Sequence, residues 1–151
     1  TENYFRALID REKNGSHGGK SMYWSINDCR SNKLIGTLGL VGITDNYDSA
    51  CTTMGISTHY RSGGKAIEAT LSLLYYGFNI LGIKKIWAST MINNLAVIKL
   101  HELFGFNVAE IKEGYYEKYG EKVNACHLTC SKEDFNYNKA VFAIKLLAKM
   151  K

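Results

Sequence analysis

The residues best suited to chemistry lie in one short run, Arg61-Ser62-Gly63-Gly64-Lys65-Ala66, between a segment of strand character, Ala50 to Ser57, and a segment of helical period that begins at Ala66. A strand that enters a glycine turn and then a helix presents free backbone N–H groups at the positive end of the helix dipole. Such a turn cradles a phosphate. Glycines let the backbone approach closely, and the Arg61 and Lys65 side chains add charge where a pyrophosphate would lie.

Further along, Asn94-Leu-Ala-Val-Ile-Lys-Leu-His101-Glu-Leu-Phe-Gly105-Phe106 sets a polar residue before an apolar helical run that a glycine closes. Arg61-x-x-Gly64-x-Ala66 matches Q/R-x-x-G-x-G/A, and the Asn94 to Phe106 run resembles an Asn followed by a helix closing in L-[YH]-E-K-x-G-F. Together and in this order they resemble the GNAT N-acetyltransferases, from about Tyr23 to Phe135. The segment Tyr115 to Glu121, through Glu133-Asp134-Phe135, is most similar to two branches of that family. One acetylates the N-termini of ribosomal proteins, the other UDP-linked 4-amino sugars.

The resemblance implies an α+β fold with a mixed, mostly antiparallel sheet flanked by helices. It implies a domain over residues 1–135 and an amphipathic C-terminal helix over 136–151. Family members place a strand and a helix before the segment matching Glu2 to Asn14, so the fold is expected without them. The resemblance implies acetyl-CoA as donor, a primary amine as acceptor and no metal. The acceptor would be a small molecule, an amino sugar nucleotide or a protein N-terminus. In the family the turn Arg61, Ser62, Gly63, Gly64, Lys65, Ala66 holds the pyrophosphate, and the backbone of Met54, Gly55 and Ile56 pairs with the pantetheine arm. Asn94 would bond that arm, and Lys99 would reach a phosphate. His101 stands where many relatives carry the tyrosine that protonates the leaving thiolate, so the catalytic candidates are His101 and Asn94. Thr53 replaces a glutamate that serves many relatives as base, and Tyr115, Tyr116 and Tyr119 are candidates for the acceptor side or the acid.

The elements that must position these residues follow from periodicity. Ser21 to Asn27 and Lys33 to Thr44 read as a hairpin about Asp28 to Asn32, and Ala50 to Ser57 as a third strand whose Gly55 marks a bulge or a close approach. Ala66 to Ile80 carries Ala66, Ile67, Ala69, Leu71, Leu73, Leu74, Phe78 and Ile80 as the apolar residues of a helical pattern ended by Gly82. Lys84 to Thr90 is a strand, and Asn93 to Phe104 a helix with Ala96, Val97, Leu100, Leu103 and Phe104 inward. Phe106 to Ile111 and Lys122 to Cys130 read as strands about a tyrosine-rich connection, Gly114 to Gly120. Glu2 to Lys13 has helical spacing, and Lys132 to Lys151 is a basic amphipathic helix that covers the sheet or makes a homodimer contact.

Composition narrows the class. A chain of 151 residues with 46% hydrophobic and 22% charged residues makes one globular domain. The net charge of +5 favours an anionic partner. A nucleic-acid-binding domain is an alternative on charge, but no helix-turn-helix, aromatic RNA-binding strand or zinc arrangement supports it. A second alternative keeps the cofactor cleft without catalysis. Cys29, Cys51, Cys126 and Cys130 form no CxxC and read as reduced thiols of a cytoplasmic protein, and His127 alternates away from Cys126 on a strand, against metal binding. No apolar run reaches the roughly 20 residues of a membrane span.

Overall fold

The computed structural model describes residues 19–61 and 64–149; the helix expected over Glu2 to Lys13, and the turn residues Ser62 and Gly63, lie outside them. Strands β1 (Lys20–Asp28), β2 (Lys33–Ile43), β3 (Ser49–Ile56), β4 (Lys85–Met91), β5 (Asn107–Lys118) and β6 (Glu121–Ser131) form one sheet in the order β1-β2-β3-β4-β6-β5. Helices α1 (Lys65–Tyr75), α2 (Leu95–Leu103) and α3 (Tyr137–Lys149) join them, with a 3-10 turn, Thr58–Tyr60, ahead of α1 and a π turn, Tyr76–Ile80, continuing it.

The β1–β2 hairpin closes where the sequence reading puts it. The Asp28 carboxylate accepts from the Ser31 N–H at 3.2 Å and from its hydroxyl at 2.7 Å, and Asn32 takes a left-handed φ of 51°. The close approach expected at Gly55 is made with Gly36 across the β2–β3 ladder, where a Cβ on Gly36 would collide with the Gly55 carbonyl.

Leu38 and Leu40 of β2, Ile86 of β4 and Leu128 of β6 are buried with Leu71, Leu74 and Phe78 of the α1 segment and with Phe104 and Phe106 after α2. Burying each such side chain contributes roughly 1.5–3 kcal/mol before entropy is charged against it. Phe78 stacks on Phe135 at 5.0 Å, and Tyr75 meets Tyr137 at 5.1 Å, which brings the start of α3 onto α1.

Three expectations are corrected. Ile80 is 62% exposed, because the Leu81 N–H bonds the Tyr76 carbonyl five residues back and the wider turn rotates Ile80 off the apolar face. Ala96 is exposed, and the inward face of α2 carries His101 instead. The tyrosine-rich segment is strand and not loop. β5 runs on to Lys118, and the connection is the two residues Tyr119 and Gly120, with φ of 55° and 81°, as a tight hairpin requires.

β5 continues through its tyrosines because it bulges. Lys112 opposes Ala125 and Tyr116 opposes Val123, so Glu113, Gly114 and Tyr115 together face Asn124 alone. Gly114 supplies a φ of 57° and donates its N–H to Asn124 Oδ1 at 3.0 Å. A regular pleat sends neighbouring side chains to opposite faces, but past this bulge the rings of Tyr115 and Tyr116 lie 5.1 Å apart, edge to face.

All neighbouring strands are antiparallel except β3 and β4, whose parallel ladder covers only Ser49 to Cys51 opposite Lys85 to Trp87. β2 holds β3 as far as Ile56. Beyond Cys51 and Trp87, therefore, β3 and β4 part and leave a wedge. Because these strands run parallel, the helices that follow them, α1 and α2, both begin at its open end.

Candidate active site

The backbone of β3 sets the character of the wedge. Ser57 donates its N–H to Ile35 of β2, at 2.9 Å. Alternation then points the amides of Gly55 and Thr53 at β2, and those of Ile56 and Met54 the other way, into the wedge. No β4 residue opposes them among the described residues. The Ile56 carbonyl accepts from Arg61 Nε at 3.2 Å, which draws the guanidinium to the mouth of the wedge. The Met54 side chain lies on the helix face, where its Sδ is 3.6 Å from Thr70 Oγ1.

The glycine turn enters α1 through Gly64, whose φ of 83° suits a residue without a Cβ. Its carbonyl accepts the Glu68 N–H at 3.0 Å, while no side chain caps the first-turn amides. A Cβ built on Gly64 would meet nothing within 4 Å, so the space above the turn is open. Lys65 departs from the expectation. Its ammonium lies 2.6 Å from Asp28 Oδ1 and 4.9 Å from the centre of the Tyr60 ring, so its charge is already engaged on the hairpin side. That pair, with help from the Ser31 hydroxyl, holds the Asp28 carboxyl down at about 2.

Asn94 stands at the N-cap of α2, yet its side chain makes no capping bond. It is exposed and donates from Nδ2 to Thr90 Oγ1 at 3.2 Å, at the end of β4. Lys99 is exposed on α2. His101 is only 6% exposed. Its Nδ1 donates to the Val97 carbonyl at 2.8 Å, and burial pushes its pKa below the ordinary histidine value. In that neutral ring Nε2 carries no proton. Donation to a thiolate would need the imidazolium that burial disfavours, so the acid role expected of His101 does not suit its placement.

On the sheet face opposite the helices, Ser89 of β4 lies just past the last β3–β4 pair, and its hydroxyl is 2.8 Å from the Tyr116 hydroxyl. Trp87 stacks on His127 at 6.1 Å, and Tyr115 meets His127 edge-on at 5.3 Å. Ser89 carried no sequence signal. Only the parting of β3 and β4, which depends on long-range register, brings it to the wedge.

An acetyltransferase domain model of the GNAT family matches residues 1–107. The chain belongs to the GNAT acetyltransferases. No curated protein sequence matches it significantly. Among solved structures it is similar to a spermidine N-acetyltransferase SpeG chimera from Vibrio cholerae and hSSAT, with 21% identity over 85% of this chain and 77% of the other and a TM-score of 0.74. A point mutant of the Vibrio cholerae enzyme aligns over 89% and 78%, and its dodecameric form over 85% and 75%, each at 21% identity and a TM-score of 0.74. The mixed sheet flanked by helices is the fold of these proteins. Members of the family take the acetyl group from acetyl-CoA, and this N-acetyltransferase transfers it to an amine.

The acetyltransferase carries backbone groups whose chemistry fits that donor. Open space over Gly64, uncapped amides at the start of α1 and the unopposed amides of Met54 and Ile56 suit a phosphate-bearing, amide-rich arm. Its thiols are placed differently. Burial pushes Cys51 and Cys130 up to about 12, which leaves them protonated and inert. Among the described residues no group of three or more His, Cys, Asp or Glu could hold a metal ion, and no helix is long and apolar enough to cross a membrane.

Proposed function

We propose that the acetyltransferase binds acetyl-CoA along the β3 side of the wedge and passes its acetyl group to the primary amine of a small molecule that enters from the face carrying Trp87, Ser89 and Tyr116. The observation that carries this reading is the parting of β3 and β4 beyond Cys51 and Trp87, which leaves two strand amides without a ladder partner. The donor supplies an activated acyl carbon on a thiol leaving group. The Met54 and Ile56 N–H groups, with Gly55 between them, hold its amide-bearing arm and direct a donor at the carbonyl oxygen. Arg61 and the backbone of Ser62, Gly63, Gly64, Lys65 and Ala66 hold the phosphates, Asn94 bonds the arm, and Lys99 reaches a phosphate from α2.

On the acceptor side Thr53 alternates with Met54 and so shares the face of Ser89. A threonine hydroxyl is no base near neutrality, so the amine arrives already neutral. The Ser89–Tyr116 hydroxyl pair orients its remaining hydrogens. Spermidine, for which the similar acetyltransferases are named, is the first acceptor to try, beside a 4-amino sugar nucleotide and a peptide N-terminus. Self-association through α3, whose Phe142 is 68% exposed, belongs to the same proposal, and sedimentation tests it.

Isothermal titration with acetyl-CoA tests the core of the reading. Saturable one-site binding, lost in Arg61→Glu and in Gly64→Glu, supports it, and an amine-library acetylation screen then names the acceptor. An unmodified chain that fails to bind acetyl-CoA overturns it.

A further inference from the structure

The ion pair between Lys65 and Asp28 joins two parts of the molecule that are 37 residues apart in sequence. Lys65 is the first residue of α1, at the helical end of the phosphate turn, and its side chain is 32% exposed. Asp28 ends β1, is 12% exposed, and is fixed by two hydrogen bonds from Ser31. The pair borders a cavity of about 630 Å³ lined by β1, the β1–β2 turn, β2 and α1, with Ile26, Arg30, Glu68 and Ser72 among its walls. No residue of β4 or α2 lines that cavity. The ammonium is thus held on the hairpin side of α1, away from the wedge.

We propose that Asp28 withholds the Lys65 ammonium from the phosphate turn and so limits how tightly the nucleotide end of the donor, and of the CoA product, is held. The proposal rests on the reading that the Arg61 to Ala66 turn binds phosphate. Its sign follows from electrostatics. Asp28 places a negative charge beside an anion site and engages the nearest lysine, and both effects oppose phosphate binding. With the carboxylate gone, Lys65 keeps the Tyr60 ring as its contact among the described residues and can swing its four-carbon stem to the turn. A turn with less affinity than its charges permit lets CoA leave after each transfer, and Asp28 sets that balance without touching the ligand.

The experiment is calorimetric and needs no acceptor. CoA and pantetheine, which lacks the phosphates, are titrated into the unmodified chain, Asp28→Asn, Asp28→Ser and the double variant Asp28→Asn/Lys65→Met. The unmodified chain is expected to prefer CoA. Either single variant should bind CoA about three- to tenfold more tightly, with pantetheine binding unmoved and the gain absent in the double variant. A merely structural role for Asp28 would weaken both ligands together. Unchanged or weaker CoA binding in both single variants overturns the proposal. Equal affinity of the unmodified chain for CoA and pantetheine overturns the phosphate-turn reading itself.

Discussion

The rings of His101 and Phe106 meet edge to face at 4.9 Å across the end of α2. The Phe106 N–H bonds the His101 carbonyl at 3.0 Å and the Gly105 N–H bonds that of Glu102 at 3.1 Å, which closes the helix in a Schellman motif with the ring pair as its apolar contact. His101 therefore works as a packed element of the motif. His101→Ala is expected to cost about 2 kcal/mol, read as a lower Tm, while acetyl-CoA binding persists. The pH dependence has a definite sign. Burial depresses the folded-state pKa, so the unfolded chain takes up the proton first. The contribution is whole above the ordinary histidine pKa near 6.5 and is lost as pH falls from there through the folded value. His101→Phe should flatten that part of a stability–pH curve.

Gly105 carries the same helix end under harder constraint. Its φ is 97°, and a Cβ there would collide with the Asp134 carbonyl. Gly105→Ala should cost more than about 2 kcal/mol, because left-handed strain adds to a clash with backbone that has no rotamer to escape into. Gly64→Ala has a similar φ but open space, so it should cost only about 1 kcal/mol in stability. Paired thermal melts of the two variants test this ordering; equal losses would refute it.

Much of this is legible in the sequence alone. Asp28 to Asn32, Gly64 and Gly105 are turn and cap residues whose backbone needs are local, and each stands where the sequence places it. What failed is non-local. The β5 bulge exists because Gly114 and Asn124 meet across a ladder, and the exposure of Ile80 follows from the π turn that lets Gly77 close on Ile86. His101 resembled a catalytic position by its neighbours in sequence, while its burial is decided by Phe106 and the core beneath. The pairing of Lys65 with Asp28 carried no sequence signal, because the hairpin tip that engages its ammonium is 37 residues away in the chain.

The Ser89–Tyr116 pair makes a prediction of its own. Tyr116→Phe removes one hydroxyl of a half-buried pair and leaves the ring contact with Tyr115, so the fold and acetyl-CoA affinity should hold. Losing an orienting hydrogen bond should raise KM for the amine or lower kcat by about fivefold to tenfold. Gly114→Ala, which strains the bulge at a φ of 57° and brings a Cβ to 3.2 Å from the Lys122 side chain, should give the same kinetic defect through misplacement of Tyr116. Steady-state kinetics for both variants, with donor binding measured alongside, decide the matter. Full activity in both would remove Tyr116 from the acceptor side.

The absence of a carboxylate at position 53 has a kinetic signature. An alkylamine is protonated near neutrality, with a reference pKa near 10.4 for a lysine-like group, and only its free base attacks. If Thr53 leaves the wedge without a base, kcat/KM should climb about tenfold for each pH unit up to the amine's own pKa, tracking the free-base fraction and no enzyme group. Thr53→Glu places a carboxylate on the face of Ser89, at a position whose backbone is already held by its pairing with Gly39. That variant should take the proton itself, raising kcat/KM at pH 7 and flattening the lower limb of the profile. A wild-type profile that bends well below the amine's pKa would instead reveal a base elsewhere in the protein, and Thr53→Glu would then gain nothing.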